Sequence, residues 1–502
     1  MTTVTPDLHD IRIYQKVGRV YSKALDTVDQ LLLILPARPT MADFRKIPQG
    51  SKLQAVLRKH AAGSTPAFTT RLNNKKQTLV VAGITTADAD AFEQLTLGRK
   101  LAAAATRQKP GSLGICAVGF SVDAQARVVN NVLAAALAAG FNLPAFKRKA
   151  APTKIKSIRL LGLNAHLDTS RTEAEAKGNN LARWLATLPP NMLNAVSYTD
   201  LVRGLAKARG WQFKRYATKE LESLGAGAFL AVAQGNEDDS AGILRLRYRP
   251  TTKAADADLS LVGKGIIFDT GGTNLKPFQS MLDMHGDMQG SAVALGTFLA
   301  ISELKLPIAV DCWLAITENR TGPKAYKSQD VVTAANGKTI QTIHTDAEGR
   351  MALADTLVFA SREKPRMIFD FATLTGSCIN AITSRYSGVF TNRPDLHPQL
   401  KRTGRQCGER VWPFPIGKEF LEDLKSDTAD VMQCSPKGFG DHILAASFLA
   451  EFIENDTPWV HMDLSAGDNE RGLGHIGSKF TGFGVRYTMS VILDENLFKA
   501  ND

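Results

Sequence analysis

The chain has 502 residues, of which 44% are hydrophobic and 22% charged, and this composition excludes an intrinsically disordered protein. Its five cysteines are scattered without a CxxC pair, which argues against a disulfide framework or a zinc ribbon and favours a reducing compartment. The N-terminal stretch lacks the basic and apolar pattern of a leader, and LLLILP at 31–36 is too short to span a membrane, so we expect a cytoplasmic protein.

The positive charge of the chain is concentrated in its first third. Residues 1–165 contain 24 Lys and Arg against 9 Asp and Glu, a balance of +15, whereas the rest of the chain sums to −3. A basic surface of this kind attracts nucleic acid or another polyanion, but it also serves as a solvated face that keeps a protein in solution. Both interpretations stay open.

Short apolar runs alternate with an Ala-rich helical stretch in the first third. The strand candidates are TLVVAGI (78–84), GICAVGF (114–120) and SIRLLGL (157–163), and the helix candidate is VVNNVLAAALAAG (128–140). This alternation predicts an α/β domain over residues 1–167. The next segment opens polar and ends at a Pro-Pro pair, so we expect a linking helix over 168–190.

Residues 191–502 resume the alternation and are predicted to form a larger α/β domain, with a mostly parallel central sheet flanked by helices. The strand candidates are AFLAVAQG (228–235), GILRLRY (242–248), LSLVGKGIIF (259–268), IAVDCWLAIT (308–317), RMIFDFATLTG (366–376) and WVHMDLSAG (459–467). The helix candidates are SAVALGTFLAISEL (291–304), RMALADTLVFAS (350–361) and HILAASFLAEFIE (442–454). In a parallel sheet the chemistry collects in loops at the carboxyl ends of the strands.

Three loops of this second part carry acids where a predicted strand gives way to a turn or a helix. They are VGKGIIFDTGGTNLKP (262–277), MLDMHGDMQGSA (281–292) and IHTDAEGRMALAD (343–355). Any one acid has a local explanation, as a helix N-cap or a first-turn acid, and we favour that explanation for Asp283. Asp346 and Glu348 are two apart, so an extended segment would point both to one side. Carboxylates from three loops would repel unless divalent cations lay between them, which indicates a binuclear metal hydrolase.

These motifs resemble those of the leucyl aminopeptidase family, the cytosol aminopeptidases of the peptidase M17 type. The likeness is carried by VGKGIIFDTGGTNLKP, DMHGDMQGSA and TDAEGRMALAD, together with DFATLTGS (370–377) and the stretch 459–486, and it spans most of residues 180–490. The first third resembles the family only in its general α/β character. The resemblance implies an α/β protein of two domains, with a smaller, macro-like N-terminal domain and a larger catalytic one.

The resemblance also implies two divalent metal ions per subunit, Zn²⁺ or Mn²⁺, with Co²⁺ and Mg²⁺ as alternatives. The matching ligand positions are Lys264, Asp269, Asp287 and Glu348 for one ion, and Asp269, Asp346 and Glu348 for the other. Asp269 and Glu348 would bridge the two ions. A ligating lysine must be a neutral amine, so the cations would have to depress the pKa of Lys264 far below its ordinary value.

In such a family member a metal-bridging hydroxide attacks the first peptide bond of the substrate. Lys276 would stabilise the oxyanion that develops, and Arg350 would hold a bicarbonate that shuttles the proton. The side chain of the substrate would lie in a pocket lined by residues matching Met284, Thr373 and Gly376, which favours leucine-like apolar residues.

The sequence departs from the family pattern near the cleft. His344 stands where the family usually has Asn, beside the metal loop, so we count it among the substrate contacts, with a passive replacement as the alternative. Asp441 and His442 stand where we expect small residues, often glycines, and this puts the shape of the cleft rim in doubt.

Motifs of other hydrolase and nucleotide-binding classes are missing or incomplete. The sequence has no HExxH, GxSxG or GxxxxGK[ST] motif, and GLGHIG (472–477) is followed by too few residues for a dinucleotide-binding unit, so we predict a loop there. The leading hypothesis is a homohexameric two-metal aminopeptidase that acts on peptides with a free N-terminus, without a membrane partner. The alternative is a nucleic-acid-binding or scaffolding protein that acts through the basic first third, with or without peptidase activity.

Overall fold

The computed structural model describes residues 6–8, 11–59, 63–148, 155–250 and 256–495, which form three β-sheets and the helices around them. The strands are β1 (Arg12–Val17), β2 (Gln30–Pro36), β3 (Phe68–Arg71), β4 (Leu79–Thr85), β5 (Ser112–Ala117), β6 (Ser157–Leu163), β7 (Gln212–Ala217), β8 (Gly242–Tyr248), β9 (Leu259–Asp269), β10 (Val310–Asn319), β11 (Val331–Thr333), β12 (Thr339–Gln341), β13 (Met367–Ala372), β14 (Ser387–Thr391), β15 (Val411–Pro413), β16 (Val431–Met432) and β17 (Trp459–Asp463).

The α-helices are α1 (Ser22–Leu25), α2 (Met41–Phe44), α3 (Gly50–Arg58), α4 (Ala91–Thr106), α5 (Val122–Gly140), α6 (Ser170–Thr187), α7 (Ala195–Arg209), α8 (Thr218–Ser223), α9 (Gly227–Ala233), α10 (Phe278–Met281), α11 (Gln289–Glu303), α12 (Glu348–Arg362), α13 (Gly376–Ile382), α14 (His397–Cys407), α15 (Lys418–Leu421), α16 (Asp441–Ala450) and α17 (Val485–Asp494). Short 3₁₀ turns cover Met284–Met288, Thr383–Arg385, Pro394–Leu396 and Glu422–Leu424.

The first sheet has six strands in the order β1-β6-β5-β2-β4-β3, and all neighbours are parallel except β3 and β4. The run QLLLILP lies inside this sheet as β2, which explains why it is apolar on both faces. Helices α4 and α5 pack against the sheet and against each other. Asp90 begins α4 with a capping box, because its side chain accepts the N–H of Glu93 while the Glu93 carboxylate accepts the N–H of Asp90.

The second sheet has eight strands in the order β15-β14-β17-β13-β9-β10-β8-β7, and its four central strands β17, β13, β9 and β10 are parallel. Successive residues of a strand point to opposite faces, and both faces of these strands are covered. Leu261 of β9 packs in the core that contains α11, whereas Val262 packs in the core that contains α12. A third sheet, of three short strands, has the order β11-β12-β16.

Helix α6 covers most of the segment predicted as a linking helix and ends before the Pro-Pro pair. It contacts α5 beside the first sheet and α11 on the second. The approach to α11 is very close, because a Cβ on Gly178 would lie 2.2 Å from the carbonyl oxygen of Gly296. The helix is thus packed between the two parts of the chain. The domain bounds 1–167, 168–190 and 191–502 stay a prediction.

The predicted α/β class is confirmed, and most of the predicted strands and helices form. AFLAVAQG was wrong as a strand, because it forms the short helix α9. A short, mostly apolar run has no periodicity that separates a helix from a strand. The first turn of α9 is stabilised by a residue far away in the sequence, because the Phe229 N–H donates to Asp355 Oδ2 at 2.8 Å. GLGHIG lies in a loop, as predicted.

The structure also bears on two expectations from composition. Cys116, Cys312, Cys378, Cys407 and Cys434 are all free and buried. Among the described residues, no helix has both the length and the apolar character needed to cross a membrane.

Candidate active site

The candidate site lies at the carboxyl edge of the parallel strands in the second sheet. Asp269 ends β9, Asp463 ends β17, and Thr373 directly follows β13. Because these strands end side by side, residues far apart in the sequence line one cavity of about 1660 Å³. The eleven residues that the sequence singled out all border it: Lys264, Asp269, Lys276, Met284, Asp287, His344, Asp346, Glu348, Arg350, Thr373 and Gly376.

A glycine turn brings Lys276 back over the end of β9. Gly271 and Gly272 have φ angles of 86° and 64°, a left-handed conformation that residues with side chains disfavour. The N–H of Gly271 donates to Asp269 Oδ1 at 2.8 Å and closes the turn. As a result Lys276 Nζ lies 2.8 Å from Asp269 Oδ2 and 2.5 Å from Asp346 Oδ1.

The loop that carries Asp346 and Glu348 is tied to this turn, because Thr345 Oγ1 donates to the carbonyl oxygen of Gly271 at 2.6 Å. The segment is not extended, since Asp346 lies in a turn and Glu348 is the first residue of α12. The side chains still converge because the turn and the first helical turn curve around the same point. Oxygen atoms of Asp269, Asp346 and Glu348 lie within 4.8 Å of one another.

Lys264 is buried among acceptors. Its Nζ lies 2.8 Å from Asp287 Oδ2 and 2.9 Å from Glu348 Oε1, and it donates to the carbonyl oxygen of Thr373 at 2.8 Å. The end of the lysine passes directly over Gly349, where a Cβ atom would lie 2.4 Å from Lys264 Cε. The glycine therefore leaves the space that the lysine occupies.

Burial and mutual repulsion shift the pKa values of this cluster. Burial, together with the negative charge of Asp269 and against the opposing charge of Lys264, raises the pKa of Asp287 to about 6 and that of Glu348 to about 8. Burial by itself would lower the pKa of Lys264, but the attraction of the nearby carboxylates outweighs burial and raises it. Four carboxylates face two ammonium groups, so the cluster holds an excess of negative charge in a largely buried place.

This donor set fits divalent cations. Glu348 Oε2 is buried and has no hydrogen-bond partner among the described residues, and such an oxygen is costly to bury unless something binds it. Carboxylate oxygens gathered within 4.8 Å are the hard ligands that these cations prefer. Lys264 can join the set only as a neutral amine, which requires that a cation replace the proton it now shares with Asp287 and Glu348.

The four expected substrate contacts differ in their surroundings. Thr373 Oγ1 donates to Asp287 Oδ1 at 2.8 Å and so orients a candidate metal ligand. Gly376 begins α13 and has no atom within 4 Å of the place where a Cβ would be, so it borders open space. Met284 lies in the 3₁₀ turn before α11, and His344 Nδ1 accepts the N–H of Asp346 at 3.3 Å.

Asp283 stands at the N-cap position of the 3₁₀ turn Met284–Met288, but its side chain makes no capping hydrogen bond. Its Oδ2 instead accepts a hydrogen bond from Lys479 Nζ at 2.8 Å. The lysine comes from a loop almost 200 residues later in the chain, so no local pattern contains this pair. Both the carboxylate and the 3₁₀ turn behind it border the cavity.

The bicarbonate expected at Arg350 does not fit this structure. Arg350 is 2% exposed, its Nη2 donates to Asp441 Oδ2 at 2.7 Å, and its Nη1 donates to the carbonyl oxygen of Gln433 at 3.2 Å. Asp441 already neutralises the guanidinium. A bicarbonate would bring a second anion against this carboxylate in a buried place, where like charges repel strongly.

Two residues that the sequence analysis missed hold the site loops in place. Asn319 Nδ2 donates to Asp269 Oδ1 at 2.7 Å and to the carbonyl oxygen of Thr345 at 3.0 Å. Gln433 Oε1 accepts the N–H of His344 at 3.1 Å. Asn319 could have been found, because it lies two residues after the predicted strand 308–317, whereas nothing in the local sequence marks Gln433.

Helix α4, from the first sheet, also borders the cavity. Phe92, Thr96, Arg99 and Lys100 line it. Arg99 Nη1 donates to the carbonyl oxygen of Arg471, which lies in the loop between β17 and α17. The first third of the chain thus contributes to the site, which its own sequence did not indicate.

Comparisons with known proteins agree with this geometry. A model of the cytosol aminopeptidase family, catalytic domain, matches residues 180–489. A protein of Synechococcus sp. named a probable cytosol aminopeptidase is 35% identical over 438 residues, which cover 85% of this chain and 88% of that protein. One of the same name from Stutzerimonas stutzeri is 40% identical over 336 residues, covering 65% of this chain and 67% of that protein.

A solved structure shares the fold over almost the whole length. A mutant of tomato leucine aminopeptidase superposes with a TM-score of 0.85 at 24% identity, covering 98% of both chains. The family match and the Synechococcus relative carry the assignment, and the cavity with its carboxylate cluster is consistent with it. The chain therefore belongs to the cytosol aminopeptidase family and is a metal-dependent hydrolase of the leucyl aminopeptidase type.

Proposed function

We propose that this enzyme removes leucine-like, apolar residues from the N-terminus of peptides and uses two divalent cations to do so. The observation that supports the proposal is the convergence, at one cavity, of four carboxylates and two lysines from three separate loops. Zn²⁺ and Mn²⁺ are the expected ions, and Co²⁺ and Mg²⁺ suit the same oxygen-rich set. The proposed ligands are Lys264, Asp269, Asp287, Asp346 and Glu348.

Two cations held there would supply Lewis-acid polarisation of the attacking water and of the scissile carbonyl. Asp269 and Glu348 are proposed to contribute to both ions because the family resemblance implies it, and both belong to the cluster of close oxygens. Lys276 is the proposed donor to the oxyanion. Its ammonium lies at the rim of the acidic cluster and borders the cavity, so it can turn from Asp346 towards a substrate oxygen.

The cavity has features that suit the N-terminus of a peptide. A free α-amine on the substrate could bind one of the cations as a neutral amine, which would distinguish a chain end from an internal bond. Gly376 leaves open space, and the side chain of Met284 supplies an adaptable apolar wall. Thr373 and His344 border the same cavity and are the proposed polar contacts.

The test is hydrolysis of leucine p-nitroanilide by metal-loaded enzyme, with metal content measured in parallel. Asp346→Ala and Glu348→Ala should lower both the bound metal and the rate, while Asp427→Ala, at an exposed acid, should change neither. If no divalent metal supports hydrolysis, and both ligand variants keep their full metal content, the proposal is wrong.

A homohexamer is the proposed assembly. Large apolar side chains near the cavity are exposed, and self-association would cover them: Leu275 at 58%, Phe278 at 77%, Leu282 at 62% and Phe439 at 82%. Light scattering should give six chain masses. A monomer that stays active would contradict the proposal.

The nucleic-acid-binding alternative rests on the charge balance of residues 1–165 and stays a prediction, as does the cytoplasmic location. Gel-shift titration at several salt concentrations tests it, because phosphate contacts give an affinity that falls steeply with salt. Binding that is absent or insensitive to salt would leave only a solvated basic surface.

A further inference from the structure

The pair formed by Arg350 and Asp441 stands beside the acidic cluster. Arg350 lies in the first turn of α12, which begins with Glu348, and it is buried. Asp441 is the first residue of α16 and follows Gly440, whose left-handed backbone (φ 61°) starts the helix. The two side chains meet at 2.7 Å. Asp441 is therefore held by the fold in contact with the guanidinium.

Asp441 differs from an ordinary structural partner because it faces the cavity. Its side chain is 27% exposed and borders the same cavity as the candidate metal ligands. Burial tends to raise the pKa of Asp441, but the charge of Arg350 outweighs burial and lowers the pKa, so the group is an ionised carboxylate. Arg350 can thus hold a carboxylate supplied by the chain itself.

Two histidines nearby are less suited to accept a proton. His344 Nδ1 already accepts the N–H of Asp346 at 3.3 Å. His442 Nδ1 lies 2.7 Å from Ser377 Oγ, so its ring is engaged by α13. Burial lowers the pKa of His442 although Asp441 opposes this. Asp441 is the acceptor in this group that combines ionisation with access to the cavity.

We infer that Asp441 takes the place of a bound bicarbonate as the proton carrier of this peptidase. As the oxygen of the attacking water forms its bond to the carbonyl carbon, one proton passes from the water to the Asp441 carboxylate. When the C–N bond breaks, Asp441 returns that proton to the leaving amine nitrogen and is ionised again. Arg350 acts as the positioning residue that holds the carboxylate. The inference rests on the proposed aminopeptidase function.

The experiment measures leucine p-nitroanilide hydrolysis in CO₂-free buffer, with and without added bicarbonate. The wild-type rate should not change with bicarbonate. Asp441→Ala should lower kcat about 10²- to 10⁴-fold, the usual effect of losing a positioned acid or base, and added bicarbonate should restore part of it. Asp441→Asn should lose activity without rescue, because its amide still fills the place beside Arg350 and cannot carry the proton.

Asp456→Ala is the matched control. Asp456 also pairs with an arginine, Arg393 at 2.9 Å, but its side chain is 86% exposed. This variant should behave like the wild type at every bicarbonate concentration. A rise in its rate with bicarbonate equal to that of Asp441→Ala would show a general salt effect and overturn the inference.

Melting of the chelator-treated proteins gives a readout that does not need activity. Bicarbonate should raise the melting temperature of Asp441→Ala, whose guanidinium has lost its anion, and should leave the wild type unchanged. An inactive wild type would refute the proposed function, whereas the melting data would still report whether Asp441 occupies the anion site. Wild-type stimulation by bicarbonate, or full kcat in Asp441→Ala without it, would overturn the inference.

Discussion

The contact between Gly349 and Lys264 makes Gly349→Ala a sharp test of the lysine as a metal ligand. A Cβ atom at this position would lie 2.4 Å from Lys264 Cε and 2.8 Å from Lys264 Nζ. Carbon atoms pack at about 3.5 to 4.0 Å, so the end of the lysine has to move by about 1 Å. The atoms that move belong to the end of a flexible side chain, and the fold itself should tolerate the change.

The cost should therefore fall on the chemistry rather than on stability. A displacement of about 1 Å in a positioned group costs on the order of 10²-fold in rate. The displaced amine would also lose its place between Asp287 and Glu348, so we expect less bound metal after dialysis. Helix α12 itself should become slightly more stable, since alanine is a better helix former than glycine by about 1 kcal/mol.

The assay combines kcat/KM for leucine p-nitroanilide, metal content by mass spectrometry and the melting temperature of the chelator-treated protein. Gly204→Ala is the matched control, because Gly204 is also helical, in α7, and has no atom within 4 Å of a Cβ position. The control should keep its rate and metal content. Gly349→Ala protein with the metal content and kcat/KM of the wild type would refute the reasoning.

The other predictions concern the metal, its support and the fold. Chelation should abolish hydrolysis, and adding Mn²⁺ or Zn²⁺ at a hundred times its Kd should restore it. The bound metal should also add about 2.7 kcal/mol to the free energy of unfolding, measured by thermal melting. Activity in the metal-free enzyme would contradict this prediction. Asn319→Ala should weaken metal binding about 10- to 100-fold by titration, because Asn319 orients Asp269, and unchanged affinity would rule out that role. Burial raises the pKa of Glu409 from 4.5 to about 7, so the folded chain holds this proton more tightly and stability should fall as pH rises through that window. The melting temperature of Glu409→Gln should change less with pH than that of the wild type. The same pH dependence in both proteins would contradict the assignment. Gly178→Ala should cost about 1 to 3 kcal/mol in denaturant unfolding, because the new Cβ would lie 2.2 Å from the carbonyl oxygen of Gly296; wild-type stability would show that the helices separate freely.

Local patterns were enough to predict most elements of the second sheet. Strands such as GILRLRY are largely buried, and the predicted helices α11, α12 and α16 begin with the polar residues Gln289, Glu348 and Asp441. The same local information failed for AFLAVAQG, because a short apolar run fits either state and the bond from Asp355 that favours the helix comes from 126 residues away. The partner of Asp283 was missed for the same reason, since Lys479 is distant in the chain.

By itself the sequence determined the residue types of the site and the strand ends on which they lie, because carboxylates, lysines and glycine turns are local features of three short loops. Only the tertiary structure decided which of these groups touch. It placed Asp441 on Arg350, Asn319 on Asp269 and helix α4 at the cavity wall. Such contacts join segments that approach each other only when the helices and sheets pack. They depend on the free energy of the whole fold, so a local stretch of sequence cannot predict them.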